Sequence, residues 1–592
     1  MISTEPLPSK DQSYDIILIS GEFWADHPHS GVGVIARVLE AEGFSVGIIE
    51  KPNWKSSEDF LKLGFPRLFY GITSGSIDSM LQNYTPLKKP RASDPYSPFN
   101  SEIPDRAVIV YSHKVKEIQK HFLNSKQSEK SGDMSTSKRK FIPIVLGGVE
   151  ASLRRFTHYD YWDNKLRRSI LLDSRADILV YGPGELQIIE IAHRLDDHQS
   201  LMGIPGTSII SSEFLEDLQG SSFMGKKFTL LPSHEEVLQS KEAFCLMQLQ
   251  FSNQANLIQP AGNRFIVKYR MPDYTTADLD RIYDLPFTYV IPKKFKEFEM
   301  ARFSIITHRG CFGNCHFCAI ALHQGTKIVS RSEANILREI DTMAQLPEFK
   351  SYISDLGGPS ANMYGMDCIH RYNCSKNCLE CSLLDRSHHQ NISLLQKARQ
   401  IAGIKKIFVR SGIRYDLALD SLPYLKEISK YHISGSLKIA PEHFSPKVLT
   451  LMNKDNSRFD EFKQKFDQIN QPLKQTLKYY FLTAHPGSTM QDALILRRQI
   501  KHLHYENCES IQIFTPTPMS ISSCMYYTGL NPFTMEPVYV PYGYNEKKKQ
   551  KNVLYPQNFQ QHKKSPTSSR KKSSKSFYSK YSKHPKRKKN KP

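Results

Sequence analysis

Long apolar runs are missing from this sequence. No stretch of about 18 apolar residues occurs, the length a helix needs to cross a bilayer, so no spanning helix is expected. The first residues, MISTEPLPSKDQSYD, lack the apolar stretch of a signal peptide. Cysteines are few, ten in 592 residues, and seven fall in two tight groups: Cys311, Cys315, Cys318, then Cys368, Cys374, Cys378, Cys381. In a chain this long, such clustering points to metal ligands rather than a disulfide framework. Together these features predict a cytoplasmic protein in a reducing compartment, with no membrane partner. Acidic residues are scarce at one end. Residues 545–592 hold 17 Lys/Arg and one acid, Glu546, and so carry +16 of the net +21. The body before them is nearly balanced, so a nucleic-acid argument from charge applies to the tail alone.

What is present can build a core. Hydrophobic residues make up 39% and charged residues 23%, which is a globular composition. The segments DIILIS (15–20), VGIIE (46–50), AVIVYS (107–112), IPIVLGG (142–148) and DILVYGPG (177–184) read as buried strands, with GVIARVLEAEGF (33–44) as a helix between two of them. Continuous apolar strands alternating with helices imply a parallel sheet covered on both faces. This predicts a doubly wound, Rossmann-like α/β domain over 1–225, with a polar surface insertion at 124–140. Residues 226–295 read as a connecting region. From about 300 the alternation restarts, with RFSIIT, SYISDLGG, KIFVRSG, SLKIAPE, KYYFLTAHPG and SIQIFTP as six strands separated by helical patterns. That predicts a (βα)6 partial barrel over 296–544, whose chemistry sits at the C-terminal ends of its strands. The Lys/Ser/Pro-rich remainder, 545–592, is expected to be a disordered basic tail.

The first cysteine group follows the first barrel strand in ITHRGCFGNCHFCAIA. Thiolates suit iron, and the C-x3-C-x2-C spacing lets one loop wrap a cluster. Three ligands for four irons leave one iron open for a substrate or cofactor. Zinc knuckles, the competing reading, come as four-ligand sets. Gly310 and Gly313 let the backbone approach closely.

This spacing after a first barrel strand resembles the radical S-adenosylmethionine (SAM) superfamily. The segments DHPHSGVGVIARVLEAEGFSVGIIEKPNW, LGGVEASLRRFTHYDYWDN, RFSIITHRGCFGNCHFCAIALHQG, SDLGGPSANMYGM, LKIAPEH and FTPTPMSISSCMYYTGLNPF together resemble the uncharacterised YgiQ-type proteins of that superfamily, across roughly residues 14–560. The resemblance implies a [4Fe–4S] cluster on Cys311, Cys315 and Cys318, with SAM chelating the open iron. One electron from the reduced cluster would cleave the sulfonium bond, and the resulting radical would take a hydrogen from a substrate. It also implies an electron donor such as a flavodoxin or ferredoxin. The substrate and the residues that act on it are not implied. RNA or protein modification competes with small-molecule chemistry, and a methylthiotransferase is disfavoured because no cysteine precedes Cys245.

By the same resemblance, Gly357 and Gly358 would meet the SAM amino group, although Pro359 stands where many families have an acid. Arg410, Ser411, Arg414, Lys438 and Glu442 lie at or near later strand ends, where SAM's carboxylate and ribose would bind. His485-Pro486-Gly487 resembles the loop near adenine. Cys368, Cys374, Cys378 and Cys381 form a second group, C-x5-C-x3-C-x2-C. Zinc, a second iron–sulfur cluster and free thiols all remain open for it. Gly31, Gly33 and Ala36 imitate a dinucleotide fingerprint, but they begin ten residues past the strand end. Asp26-His27-Pro28-His29-Ser30-Gly31 approaches a cobalamin motif, D-x-H-x-x-G, with proline in the histidine's place. Cobalamin held without that ligand, on a cobalamin-binding-like domain, stays open. The tail's interleaved Lys, Arg and Tyr suit weak RNA association. The alternative to an enzyme is a non-catalytic, nucleic-acid-associated protein with structural cysteine sites.

Overall fold

The computed structural model describes residues 1–9, 12–91, 103–128, 141–212, 227–293, 301–371, 374 and 376–556. A ten-stranded mixed sheet forms the N-terminal half. From one edge its order is Ile2–Ser3, Val46–Glu50, Ile16–Ser20, Phe69–Thr73, Ile144–Leu146, Ile178–Val180, Thr207–Ser211, Arg264–Lys268, Asn256–Ala261 and Phe228–Leu230. The first six strands are mutually parallel. Alternation along Ile16–Ser20 sends Ile16 and Leu18 into one core and Ile17 and Ile19 into the other. Helices Gly31–Ala41 and Glu185–Asp196 cover the first face, and Ala107–Ser128 and Ile170–Ser174 the second. The doubly wound expectation therefore holds.

Three expectations change. Residues 107–112 are helix, not strand, and open the 22-residue helix Ala107–Ser128. Ala107, Val108, Tyr111, Val115 and Ile118 are buried at helical spacing, a period that a six-residue window hides. This helix also takes in the start of the expected 124–140 insertion, whose remainder, 129–140, lies outside the described residues. The segment 226–295 is not a linker. Its strands extend the sheet through antiparallel pairing of Arg264–Lys268 with both Thr207–Ser211 and Asn256–Ala261. Finally, the folded body passes residue 545. Tyr544–Val553 is a helix fixed by buried Gln550, whose Oε1 accepts from Ala484 N–H at 3.2 Å and Ser488 Oγ at 2.9 Å. Residues 557–592 lie outside the described residues.

The second half carries the six expected strand–helix steps. Ser304–Ile306 pairs in parallel with Asp355–Gly357, and Tyr352–Ile353 with Lys406–Ile407. Ser436–Glu442, Thr476–Thr483 and Cys508–Ile513 form a parallel trio. The second strand is split between its two neighbours, with Ser354 N–H reaching back to Phe303 O at 2.7 Å. The fold is α/β, with the sheet domain followed by an open (βα)6 barrel. Their apolar interiors merge, since Ile16 and Ile305 belong to one continuous core. Among the described residues, no helix is long and apolar enough to cross a membrane.

Candidate functional site at the barrel mouth

Strand Ser304–Ile306 delivers the chain to the mouth, where residues 310–318 form the cysteine loop. Gly310 opens it with φ +87°, and a Cβ there would stand 2.0 Å from the Lys327 carbonyl oxygen, so only glycine fits. Cys311 N–H donates to Gly325 O at 3.1 Å. Cys318 caps the helix Ala319–Gln324, its sulfur accepting from Ile320 N–H. The loop is pinned from two other mouth loops. His316 N–H donates to Met452 O at 3.0 Å, and Asn453 Nδ2 donates to Asn314 O at 2.9 Å. Ser522 N–H donates to His316 O at 3.0 Å. These anchors come from beyond the fourth and sixth strands, so the loop's shape depends on barrel closure.

All three thiols are half-buried. Burial raises the Cys311 thiol, against the pull of Arg414 and Lys454, and pushes Cys318 up to about 12. Each thiol lies within electrostatic reach of Cys315. Arg414, after the third strand, is the nearest cation. A Cβ on Gly313 would meet its Nη1 at 2.7 Å and Cys311 Sγ at 3.4 Å, so the missing side chain is what lets the guanidinium approach the thiols. Arg414 also grips Asp416 through two contacts, Nε–Oδ1 at 3.1 Å and Nη2–Oδ2 at 2.5 Å. Burial works to raise the Asp416 carboxyl, and the guanidinium more than offsets it. Asn362 clamps the same loop by accepting Arg414 N–H at 2.8 Å and donating to Arg414 O at 2.9 Å.

Glu442 ends the fourth strand with φ +66°, and burial pushes its carboxyl up to about 7 despite Lys454. Phe312, Ile328, Met363, Met366 and Leu417 form a small apolar wall against Cys311. Among the described residues, no three His, Cys, Asp or Glu side chains close into a compact metal-binding group. A cubane does not ask for that, because each thiolate binds a different iron. Three half-buried thiols on one glycine-relieved loop, with cations beside them and an apolar wall behind, fit such a cluster.

The structure brings Gly357, Gly358 and Ser411 together beside this loop. Gly357 O is already engaged by Thr307 N–H at 2.8 Å, and a Cβ at Gly357 would fall 2.1 Å from Ser411 Oγ. A Cβ at Gly358 would strike the His308 ring at 2.5 Å. The glycine pair is therefore explained in part by close packing between strands. Asp355 fixes the neighbouring turn, accepting from Arg410 N–H at 2.6 Å and Ser411 N–H at 3.2 Å. Lys438 is not at the mouth. It stands third in Ser436–Glu442, towards the strand's N-terminal end, and pairs with Glu509 at 3.0 Å. His485 is fully buried with Nε2 on Ser522 Oγ at 2.6 Å, and its ring meets Phe317 edge-on at 6.3 Å, so it buttresses the cysteine loop.

The second cysteine group lies next to the first. Cys378 and Cys311 pack against the same apolar wall, and Lys327 Nζ donates to Cys374 O at 2.9 Å. Burial raises the Cys378 thiol, and Cys368, Cys374 and Cys381 each add to the rise, so each of the three lies within electrostatic reach of Cys378.

The N-terminal look-alikes have other duties. A Cβ on Gly33 would stand 2.5 Å from Ala25 O, so this glycine seats the helix on its own entry loop rather than a phosphate. Asp26 pairs with Arg37 and accepts from Thr288 N–H and Oγ1. His27 Nε2 faces Arg302 O at 2.8 Å, while Nδ1 accepts His29 N–H at 3.0 Å. Both ring nitrogens are engaged, so His27 has none left for a cobalt ligand.

Sequence reasoning passed over Asp416, Lys454, Asn362 and Ser522. The Arg-x-Asp pair at 414–416 was a legible signal for Asp416. The others are recognisable only through tertiary contact.

The Radical SAM N-terminal model matches residues 3–123 and 133–308, and the Radical SAM superfamily model matches 305–500. A domain of unknown function, DUF3362, matches 509–588, across the expected boundary at 545. A UPF0313 protein of Methanosarcina acetivorans is 41% identical over 91% of this chain and 76% of its own length. One from Methanocaldococcus jannaschii is 41% identical over 92% of this chain and 89% of its own. One from Clostridium botulinum is 40% identical over 93% and 86%. Among solved structures, the radical S-adenosylmethionine methyltransferase TsrM of Kitasatospora setae, with cobalamin and a [4Fe–4S] cluster bound, aligns at TM-score 0.44. Its identity is 14%, over 87% of this chain and 79% of its own. At that distance no residue role passes to this chain. The matches over nearly its whole length place the chain in the UPF0313 family, as a radical SAM enzyme whose cofactors are a [4Fe–4S] cluster and S-adenosylmethionine.

Proposed function

We propose that Cys311, Cys315 and Cys318 hold the [4Fe–4S] cluster with one iron left for SAM, and that the barrel mouth carries out reductive SAM cleavage to start radical chemistry on a further substrate. The carrying observation is the cysteine loop itself: three thiols, relieved by Gly310 and Gly313 and faced by the Arg414 guanidinium. When bound and reduced, the cluster supplies the electron that breaks the sulfonium bond. The chain's own residues bind, orient and shield. Arg414 and Lys454 favour thiolates over thiols at Cys311. Asp416 and Asn362 hold Arg414 in place. Phe312, Met363 and Met366 exclude water from one side. Gly357, Gly358 and Ser411 line the edge where the SAM amino acid moiety would lie, and with Gly357 O engaged the amino group falls to Gly358. Cys368, Cys374, Cys378 and Cys381 adjoin this loop, and the spread of their thiols suits a second iron–sulfur cluster better than a compact zinc site. A one-electron donor of the flavodoxin or ferredoxin class would serve the cluster.

The test uses anaerobically reconstituted full-length protein. Iron and sulfide are counted, and dithionite-driven 5′-deoxyadenosine release is assayed. About four irons that are lost in each single Cys→Ala variant at 311, 315 and 318, together with release of 5′-deoxyadenosine, is the expected result. A folded, zinc-loaded protein without iron would overturn the assignment.

A further inference from the structure

Away from the barrel mouth, a cavity of about 510 Å³ opens between the N-terminal domain and the C-terminal helix Tyr544–Val553. Its volume is that of a small-molecule site. Its walls are aromatic and cationic, with Tyr159, Tyr161, Tyr526 and Tyr542 beside Lys88 and Lys547. Lys547 is only 3% exposed, yet its ammonium donates to two neutral hydroxyls, Tyr526 at 2.7 Å and Tyr161 at 3.0 Å. Among the described residues it forms no salt bridge. Lys88 Nζ stands 4.6 Å from the Tyr161 ring centre and Lys547 Nζ 5.0 Å from the same centre, so two like charges flank one ring. The nearby acids Asp160 and Asp163 are both paired with Arg106, at 2.8 and 2.9 Å. Glu546 lies within electrostatic reach of Lys547, and Asp160 and Asp163 of Lys88, but none of them pairs directly with Lys547 among the described residues. A buried ammonium with no direct ion pair is costly, and a second cation beside it adds to the cost. An anion in the cavity relieves both.

The rings add a second requirement. Tyr542 is 53% exposed and makes a T-shaped pair with Tyr526 at 5.2 Å, so about half of its surface is open to a planar partner. An anion attached to a flat heterocycle satisfies both features, with the phosphate between Lys88 and Lys547 and the base against Tyr542. We infer that this cavity is a binding site for a nucleotide unit, taken either as a free nucleotide or from single-stranded RNA. It connects to the barrel mouth through one helix, Ile521–Thr528. Tyr526 lines the cavity, while Ser522 holds His316 of the cysteine loop.

The probes are adenosine 5′-monophosphate, a hexa-adenylate RNA and inorganic phosphate, titrated into the full-length protein by calorimetry. The single nucleotide carries too little charge to be retained by the basic tail through counterion release, so it reads the cavity. Adenosine 5′-monophosphate should bind, and Lys547→Met and Tyr542→Ala should each weaken it about tenfold. Tyr542 is surface-lying, so its variant keeps the test meaningful should Lys547→Met melt early. Tighter binding of the hexamer, with the same loss in the variants, assigns the site to RNA. Equal or weaker binding of the hexamer assigns it to a free nucleotide. Unchanged affinity in both variants, no binding of either nucleotide probe, or phosphate competing as well as the nucleotide would each overturn the inference.

Discussion

Two loops in this chain look alike in sequence position and differ in chemistry. Each follows the first central strand of an α/β unit: residues 21–33 after Ile16–Ser20, and residues 307–318 after Ser304–Ile306. Each is rich in glycine and in metal-binding side chains. In the first, the donor atoms of Asp26 and His27 are already engaged. His27 uses both ring nitrogens on backbone groups, Asp26 is gripped by Arg37 and Thr288, and Gly33 packs on Ala25 O. In the second, the backbone is pinned by two other mouth segments while the thiols face one another and Arg414. The difference teaches that a motif marks a site when other segments hold its backbone and its side chains gather towards one another, touched only by weak contacts to their own loop and the helix that follows it. Where the side chains themselves do the holding, the same residue types form a latch between domains.

The largest expected break in this comparison is at the thiols. Cys315→Ser should abolish cluster retention and 5′-deoxyadenosine formation, read by iron count and chromatography. His27→Gln should leave iron content and SAM cleavage intact while lowering stability by about 1–3 kcal/mol, because a buried partner is lost. Loss of iron in His27→Gln would erase the distinction between the loops.

Arg414→Met should come next. It leaves Asp416 in a mostly buried place without its cation, a loss of about 3–5 kcal/mol in favourable cases. It also removes the positive charge beside Cys311. Thermal melting should show the stability loss, and adding Asp416→Asn should restore most of it. Iron retention should stay low in the double variant, since the charge beside the thiols is still missing.

The glycines sharpen the contrast further. Gly33→Ala sets a Cβ 2.5 Å from a backbone oxygen and should cost about 1–3 kcal/mol with no change in iron. Gly313→Ala pushes on the Arg414 guanidinium, a movable group, so melting should change little while reconstitution slows and iron content falls.

The smallest effect is in pH. Burial holds His27 down to about 3 and His29 to about 4. In the unfolded chain both titrate near 6.5, so below that pH the unfolded state takes up protons the folded state refuses. Stability is full above about pH 6.5 and falls as the pH drops, by about 1.4 kcal/mol per pH unit for each such histidine. The stability gap between wild type and His27→Gln should therefore narrow from pH 7.5 to 5.5, as read by denaturant unfolding. A constant gap would show that His27 is not buried neutral.

Much of this architecture was legible in the chain. Six apolar strand signals with helices between them announced the barrel, because strands buried on both faces read as continuous apolar runs. The C-x3-C-x2-C loop was legible because ligand spacing is local. Residues 107–112 misled because a short apolar run has no period of its own, and only Val115 and Ile118 further on betray the helix. The strand-like character of 228–231 and 264–269 was legible, but their place in the sheet was not, because Arg264–Lys268 joins it through an antiparallel partner, Thr207–Ser211, that local pattern does not identify. Lys438 was misplaced for a different reason: strand membership was clear, but its distance from the strand's C-terminal end and its pairing with Glu509 were not.

By itself, then, the sequence determined the alternation of strands and helices, the two cysteine groups and the concentration of basic charge at one end, since each depends on residues close together along the chain. The tertiary structure alone decided which donor atoms stay available. It brought Arg414, Asp416 and Lys454 to Cys311, set Cys378 against the same apolar wall, and carried Lys547 to Tyr161, 386 residues away. These contacts join residues from separate strand ends, and only closure of the sheet and the barrel creates them.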